Sequence, residues 1–132
     1  MLRKYFYTAL FHKEEKGGFW VSFPDFPECL TRGDDMSIAY EMAIDALGLA
    51  LEDRIKENNV PTPTSIENIK PEENAYVVIV EFDMLEYKRK HSSKPVKKTL
   101  SIPEWLNEEA IRNEINFSAV LQEALKAELG IV

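Results

Sequence analysis

The chain has 132 residues, and 45% of them are hydrophobic, which favours one medium globular domain or two small ones over a disordered protein. Its formal net charge of −7 argues against a protein that coats nucleic acid along its whole surface. No apolar run reaches the length of a membrane span, and the single cysteine, Cys29, excludes an internal disulfide and a cysteine-based zinc site. The first residues have no small-residue cleavage site, so we expect no signal peptide and a cytoplasmic location.

The charges are distributed unevenly. Residues 1–75 carry fourteen Asp and Glu against eight Lys and Arg, a net charge of −6. Residues 88–98 carry six Lys and Arg and no acidic residue. An acidic front and a basic strip point to two different partners. The alternative is a lysine-rich, solvated linker, and for residues 88–90 taken alone that alternative is favoured.

Three strands are predicted at the start of the chain. Residues 5–11 alternate in a way typical of a strand, and their apolar character on both sides predicts that both faces are largely covered. Gly17-Gly18 supplies a hairpin turn, and residues 19–23 form the return strand. Prolines at positions 24 and 27 break that strand, and residues 28–32 form a short third one.

A long helix and a fourth strand follow. Asp35 can cap a helix that runs from about residue 36 to residue 58, with a buried stripe of small apolar side chains. Residues 58–71 form a loop stiffened by prolines. The apolar run at residues 75–82 is then predicted to be the central strand of the sheet. The predicted order is three strands, a helix and a strand.

The segment from Gly18 to Asp34 resembles the N-terminal signature of HicB antitoxins. The matching elements are the Phe-Pro-Asp-x-Pro turn, Cys29, Thr31 and the Gly33-Asp34 pair. Residues 61–65 also resemble the proline loop of that family. Glu28 stands where the family usually has glycine, and Asp35 with Ile38 lacks the family's reciprocal capping box. The resemblance implies a truncated ribonuclease-H-like fold.

The resemblance also implies two activities. HicB proteins neutralise HicA, a small basic toxin that cleaves RNA with a histidine, and they repress their own promoter. The acidic front fits the first activity, because a toxin that binds RNA presents a positive surface. The candidate toxin-binding residues are Phe19, Trp20, Asp25, Phe26 and Glu28. The alternative is that the aromatic ones belong to the core, which is favoured for Phe23 and stays open for Phe26.

The end of the chain predicts a short strand that leads directly into a helix. Within residues 96–102, Val96, Leu100 and Ile102 fall on one face and Lys97, Thr99 and Ser101 on the other. Pro103 suits a first helical turn and begins a helix to about residue 114. Asn116 is a candidate N-cap for a second helix that ends at Gly130.

This strand-helix-helix order over residues 96–129 resembles the ribbon-helix-helix DNA-binding fold, in which strands from two chains pair and enter the major groove. Such a short unit cannot bury enough apolar surface alone, so an obligate homodimer is implied. Lys98 departs from the pattern, because it takes an inward-facing position that is usually apolar. The candidate DNA-binding residues are Lys94, Lys97, Thr99, Ser101, Asn116, Phe117 and Ser118. The alternative is a helical hairpin whose strand pairs with the preceding domain.

Together these interpretations predict an α+β protein. A partial ribonuclease-H-like βββαβ domain occupies residues 1–82, a linker residues 83–95, and a ribbon-helix-helix (βαα) dimerisation domain residues 96–132. The expected function is an antitoxin that binds a HicA-type toxin, in a toxin–antitoxin heterotetramer, and represses its operon by binding operator DNA as a homodimer. No catalytic residue, cofactor, metal or membrane partner is expected.

Two alternatives remain from the sequence. One is a ribbon-helix-helix regulator whose front domain senses a small molecule. The other is a nuclease of ribonuclease H type, which would need carboxylates that hold two magnesium ions. The first strand, residues 5–11, offers no acidic residue for that purpose.

Overall fold

The computed structural model describes residues 3–131, which divide between Lys94 and Pro95 into two compact units. The strands are β1 (Lys4–Lys13), β2 (Phe19–Phe23), β3 (Phe26–Gly33) and β4 (Ala75–Asp83). The helices are α1 (Met36–Lys56), α2 (Met84–His91), α3 (Glu104–Arg112) and α4 (Phe117–Leu129), with a short 3-10 turn at Ile66–Asn68. The predicted α+β class is therefore confirmed. No helix in this described part of the chain is long and apolar enough to cross a membrane.

The first unit contains a four-stranded antiparallel sheet in the order β3-β2-β1-β4. The strand β1 lies inside the sheet and pairs along its length with β4, from Lys4 opposite Asp83 to His12 opposite Ala75. The prediction that β4 is the central strand was wrong, because it lies at an edge. An apolar run does not distinguish a central strand from an edge strand whose outer face is itself apolar.

Two tight turns connect the first three strands. Gly17 and Gly18 both have positive φ, at 94° and 87°, which the β1–β2 turn requires and glycine adopts without strain. The β2–β3 turn is shorter than predicted, since Phe23 already pairs with Phe26. The third strand therefore begins at Phe26 rather than at residue 28. Pro27 is compatible with this strand because β3 lies at an edge.

The helix α1 packs on one face of the sheet. The side chain of Asp35 accepts a hydrogen bond from the backbone N–H of Ile38 at 2.8 Å, which confirms the predicted cap. Gly33 lets the helix start lie close to β3, because a Cβ there would be 2.3 Å from the backbone nitrogen of Ala39. The core between helix and sheet contains small helix residues and large strand residues, among them Tyr5, Tyr7, Phe11, Val21, Phe26, Ala39, Ala43, Leu47 and Leu51.

The segment at residues 83–95, which the sequence predicts to be a linker, contains the helix α2 over most of its length. Asp83 caps this helix by accepting hydrogen bonds from the backbone N–H groups of Leu85 and Glu86 at 3.0 and 3.2 Å. Met84 and Tyr87 are buried in the core of the first unit. Gly48 of α1 makes room for Tyr87, since a Cβ there would be 2.3 Å from its ring. Two buried residues in a lysine-rich segment are too few to show a helical period in the sequence.

The second unit contains α3 and α4, close to their predicted positions. Pro103 directly precedes α3, and the side chain of Asn116 accepts a hydrogen bond from the N–H of Ala119 at 3.0 Å, which confirms the predicted N-cap. Gly130 ends α4 with φ at 69°. Residues 96–102, which the sequence predicts to be a strand, form neither helix nor strand in the part of the chain that the structure describes. Their pairing with a second chain stays a prediction.

Candidate binding surfaces

The sheet of the first unit has a second face, opposite α1, that we call the open sheet face. The even-numbered residues of β1 project to this side, because the odd-numbered ones lie in the core. Cross-strand pairing aligns Leu10 with Ser22 and Leu30, and Thr8 with Ile79. Four large hydrophobic side chains on this face stay exposed: Phe6 (51%), Trp20 (40%), Leu30 (63%) and Ile79 (50%).

An aromatic stack fixes one end of the open sheet face. The rings of His12 and Trp20 lie 3.6 Å apart and almost parallel, at 8°. The buried His12 also shares a hydrogen bond with the hydroxyl of Ser22, at 2.9 Å between Nε2 and Oγ. Trp20, a predicted toxin-binding residue, therefore lies on this face with its orientation fixed. Phe19, its predicted neighbour, packs partly buried against the core instead.

Charged residues surround the open sheet face. Lys4 pairs with Glu81 at 2.7 Å, and this hydrogen bond raises the pKa of the lysine. Arg32 pairs with two carboxylates, Glu14 at 3.1 Å and Asp34 at 3.0 Å, and the hydrogen bonds from both raise its pKa. Both cations are thus neutralised within the chain. Because Arg32 pairs with two carboxylates, one negative charge remains there in excess.

Asp25, another predicted toxin-binding residue, holds a loop in place. Its carboxylate accepts hydrogen bonds from the backbone N–H of Thr64 at 3.0 Å and from the Thr64 hydroxyl at 2.5 Å. Nearby, the Tyr7 hydroxyl donates to the carbonyl of Pro61 at 2.5 Å, and burial raises the pKa of Tyr7 to about 12. These contacts hold the proline loop against the β2–β3 turn. The side chains of Asp25 and Tyr7 therefore already have hydrogen-bond partners within the chain.

Glu28 and Phe26 both contact Arg54 of α1. The guanidinium of Arg54 donates two hydrogen bonds to the Glu28 carboxylate at 2.8 and 2.9 Å, and this contact lowers the pKa of Glu28. The same guanidinium lies 5.5 Å from the centre of the Phe26 ring, which is fully buried and packs edge-on against Tyr7. The expectation that Phe26 contacts a toxin is therefore corrected, because its side chain has no exposed surface.

Cys29 is buried in the core, and this burial raises the pKa of its thiol to about 12. A neutral, buried thiol is a packed side chain rather than a nucleophile. Among residues 3–131, no group of three or more His, Cys, Asp and Glu side chains is arranged to hold a metal ion.

The second unit has an apolar groove of about 1000 Å³, which we call the tail groove. Its apolar lining comes from the segment before α3, from both helices and from the loop between them, and consists of Leu100, Ile102, Leu106, Ala110, Ile115, Phe117, Val120, Leu121 and Ala124. Lys98 also lines it, in the inward position that the alternation predicts. The exposed side chains of Lys97, Thr99 and Ser101 are not part of this lining.

The structure also gives the positions of the other predicted DNA-binding residues. Lys94 and Ser118 are exposed, and Ser118 and Phe117 both line the tail groove, while the Asn116 side chain caps its own helix. Sequence reasoning missed Phe6, Leu30 and Ile79 as surface residues. The alternation along each strand shows which residues of that strand share a side. It does not show which residues of different strands lie on the same face, because that depends on the register between the strands.

The model of one protein family, described as HicB-like antitoxin of bacterial toxin-antitoxin system, matches residues 7–124 of this chain. The chain belongs to the HicB-like antitoxin family. The match begins within β1 and ends within α4, so it includes both compact units.

Two curated relatives carry the HicB antitoxin name. The chain is 47% identical over 58 residues to antitoxin HicB 1 of Photorhabdus laumondii subsp. laumondii, and 39% identical over 54 residues to antitoxin HicB of Escherichia coli strain K12. These matches include 43% and 40% of this chain, and they span only 37% and 39% of the relatives.

Two solved structures resemble the chain over most of its length. A structure described as a toxin-antitoxin complex from Streptococcus pneumoniae has a TM-score of 0.59 and 26% identity, over 95% of this chain and 99% of the other. The antitoxin HicB of Burkholderia pseudomallei has a TM-score of 0.53 and 21% identity, over 92% and 96%, and its likeness concerns the fold.

Proposed function

We propose that this chain is an antitoxin that binds and neutralises a HicA-type RNA-cleaving toxin through its first unit. As a homodimer formed by its second unit, it also binds operator DNA and represses its own operon. The observation that carries this proposal is the HicB-like family match across both units. A similarity to a structure of a toxin–antitoxin complex supports the toxin as a partner.

The charge of the first unit supports a basic partner. Residues 1–75 have a net charge of −6, and the exposed cations Lys4 and Arg32 are both neutralised by carboxylates of the same chain. A toxin that binds RNA must present positive charge, and an oppositely charged inhibitor gains association rate and selectivity. We expect the inhibition to require no chemical step by this chain, as its membership of an antitoxin family suggests.

The tail groove supports a homodimer. In a single chain the apolar side chains of residues 96–129 stay largely exposed, including Leu100, Trp105 and Ile111. In the proposed dimer, the segments 96–102 pair antiparallel and the helices of two chains cover each other's apolar faces. The polar face of the paired strands, with Lys97, Thr99 and Ser101, then enters the major groove of DNA.

Neutralisation is tested by growth. We expect cells that express a HicA-type toxin matched to this chain to stop growing, and co-expression of the full chain to restore growth. The control is a toxin with its catalytic histidine replaced, which should not slow growth with or without the chain. Growth arrest that persists while the chain accumulates as a folded protein would contradict the proposal.

DNA reading is tested by two substitutions with different expected effects. Thr99→Ala should cost roughly 1–3 kcal/mol of operator binding and alter the preferred sequence, because its side chain is expected to face base edges. Lys94→Ala should weaken binding to all sequences alike and flatten the salt dependence, because a phosphate contact carries no sequence information. Fluorescence anisotropy at several salt concentrations separates the two effects. If Thr99→Ala binds the operator like the wild type, the strand does not read the sequence.

A further inference from the structure

We infer that the open sheet face, with Phe6, Trp20, Leu30 and Ile79 at its centre, is the surface on which the toxin docks. The inference rests on the proposed function and adds the site to it. The partner chemistry is a basic protein that covers this face with an apolar patch of its own. The sequence had pointed to the hairpin and turn at residues 19–28, of which Trp20 lies on this face, whereas Asp25 is occupied within the chain and Phe26 is buried.

The first argument is exposure. The four central side chains come from all four strands and lie on one face, each with 40% to 63% of its surface exposed. Single exposed hydrophobic residues are common on any protein, but several large ones on one sheet face mark an interaction surface. The core of the unit lies on the other side of the sheet, against α1, so these side chains are not needed to hold that helix.

The second argument is rigidity. Between the exposed side chains, Thr8, Leu10 and His12 are buried in the plane of the face. His12 holds the Trp20 ring in a parallel stack at 3.6 Å and is itself fixed by a hydrogen bond to Ser22. A surface that is already ordered loses little side-chain entropy on binding, and a fixed tryptophan is a typical anchor of an interface.

The third argument is charge, which decides between a toxin and a second copy of this chain. At the edge of the face, Arg32 is paired with both Glu14 and Asp34, and the exposed carboxylate of Glu72 lies 3.8 Å from the ring of His12. Two copies of this face would bring like charges together, whereas a basic partner would neutralise them. The excess of carboxylates therefore favours the toxin.

The test compares three full-length variants for binding to the toxin with its catalytic histidine replaced, by titration calorimetry. Leu30→Lys and Ile79→Lys remove an apolar contact and oppose a basic partner, so each should weaken binding by roughly 30-fold or more. Leu49→Lys is the matched control, because Leu49 is 62% exposed on α1 and Leu30 is 63% exposed on the sheet. We expect the control to bind like the wild type, and all three variants to keep the wild-type circular dichroism spectrum.

Two results would overturn the inference while leaving the proposed function standing. One is wild-type affinity in both Leu30→Lys and Ile79→Lys, provided that the unsubstituted chain binds the toxin. The other is a change in the oligomeric state of the antitoxin alone in these variants, with toxin binding unchanged, which would assign the face to contacts between copies. Absence of binding by the unsubstituted chain would instead contradict the proposed function itself.

Discussion

Replacement of Phe26 by alanine is expected to lower the free energy of unfolding of the first unit by about 3–5 kcal/mol. The Phe26 ring is fully buried, lies 4.7 Å from the Tyr7 ring in an edge-on contact, and supports the guanidinium of Arg54. Its removal would leave a cavity beneath the β2–β3 turn, which two strands and α1 cannot close without strain. Urea unfolding in a Trp105→Phe background, monitored by the fluorescence of Trp20, measures the change for this unit.

Phe6→Ala is the matched control, since Phe6 lies half-exposed on the opposite face of the same sheet. It should cost less than about 1 kcal/mol of stability, because little buried surface is lost. We expect the reverse order for toxin binding, which Phe6→Ala weakens and Phe26→Ala leaves nearly unchanged at temperatures where the variant is folded. An unfolding free energy of Phe26→Ala close to that of the wild type would show that the ring is not part of the core.

The second large effect concerns the tail groove. Ile102→Asp should shift the full-length chain from dimer to monomer at micromolar concentration, because Ile102 lines the groove and a carboxylate there would be buried without a partner. The dissociation constant should rise by at least about a hundredfold, measured by sedimentation equilibrium. Operator binding should be lost with the dimer, since the reading surface needs both strands.

Ser101→Asp is the control for this substitution. Ser101 precedes Ile102 and is exposed outside the groove lining, so the variant should stay dimeric while its new negative charge opposes DNA. A wild-type chain that sediments as a monomer at micromolar concentration would contradict the ribbon-helix-helix interpretation. A dimer that persists in Ile102→Asp would place the contact between chains elsewhere.

Local chemistry made several elements predictable from the sequence. The Asp35 and Asn116 caps, the Gly17-Gly18 turn and the end of α4 at Gly130 each depend on one or two residues and their immediate neighbours. Such signals work because a cap or a positive φ restricts which residue types fit. The long helix α1 was predictable for a similar reason, since its apolar positions repeat over several turns.

Features that depend on distant contacts were not predictable. The edge position of β4 follows from pairing with β1, which lies more than sixty residues earlier in the chain. The helix α2 is held by the packing of Tyr87 against Gly48, and no pattern in the sequence around either residue predicts this contact. The same limit applies to the candidate site, because residue type suggested Phe26 as an anchor while the register of four strands brings Phe6, Leu30 and Ile79 to one face instead.

Inhibition of the purified toxin tests the central claim most directly. RNA cleavage by the active toxin is followed while increasing amounts of the full-length chain are added, with the Leu49→Lys variant and an unrelated acidic protein as controls. We predict that cleavage falls to background once the chain and its Leu49→Lys variant are each in molar excess, and that the unrelated protein has no effect. Cleavage that continues undiminished in the presence of excess folded chain would contradict the assignment of this protein as the toxin's inhibitor.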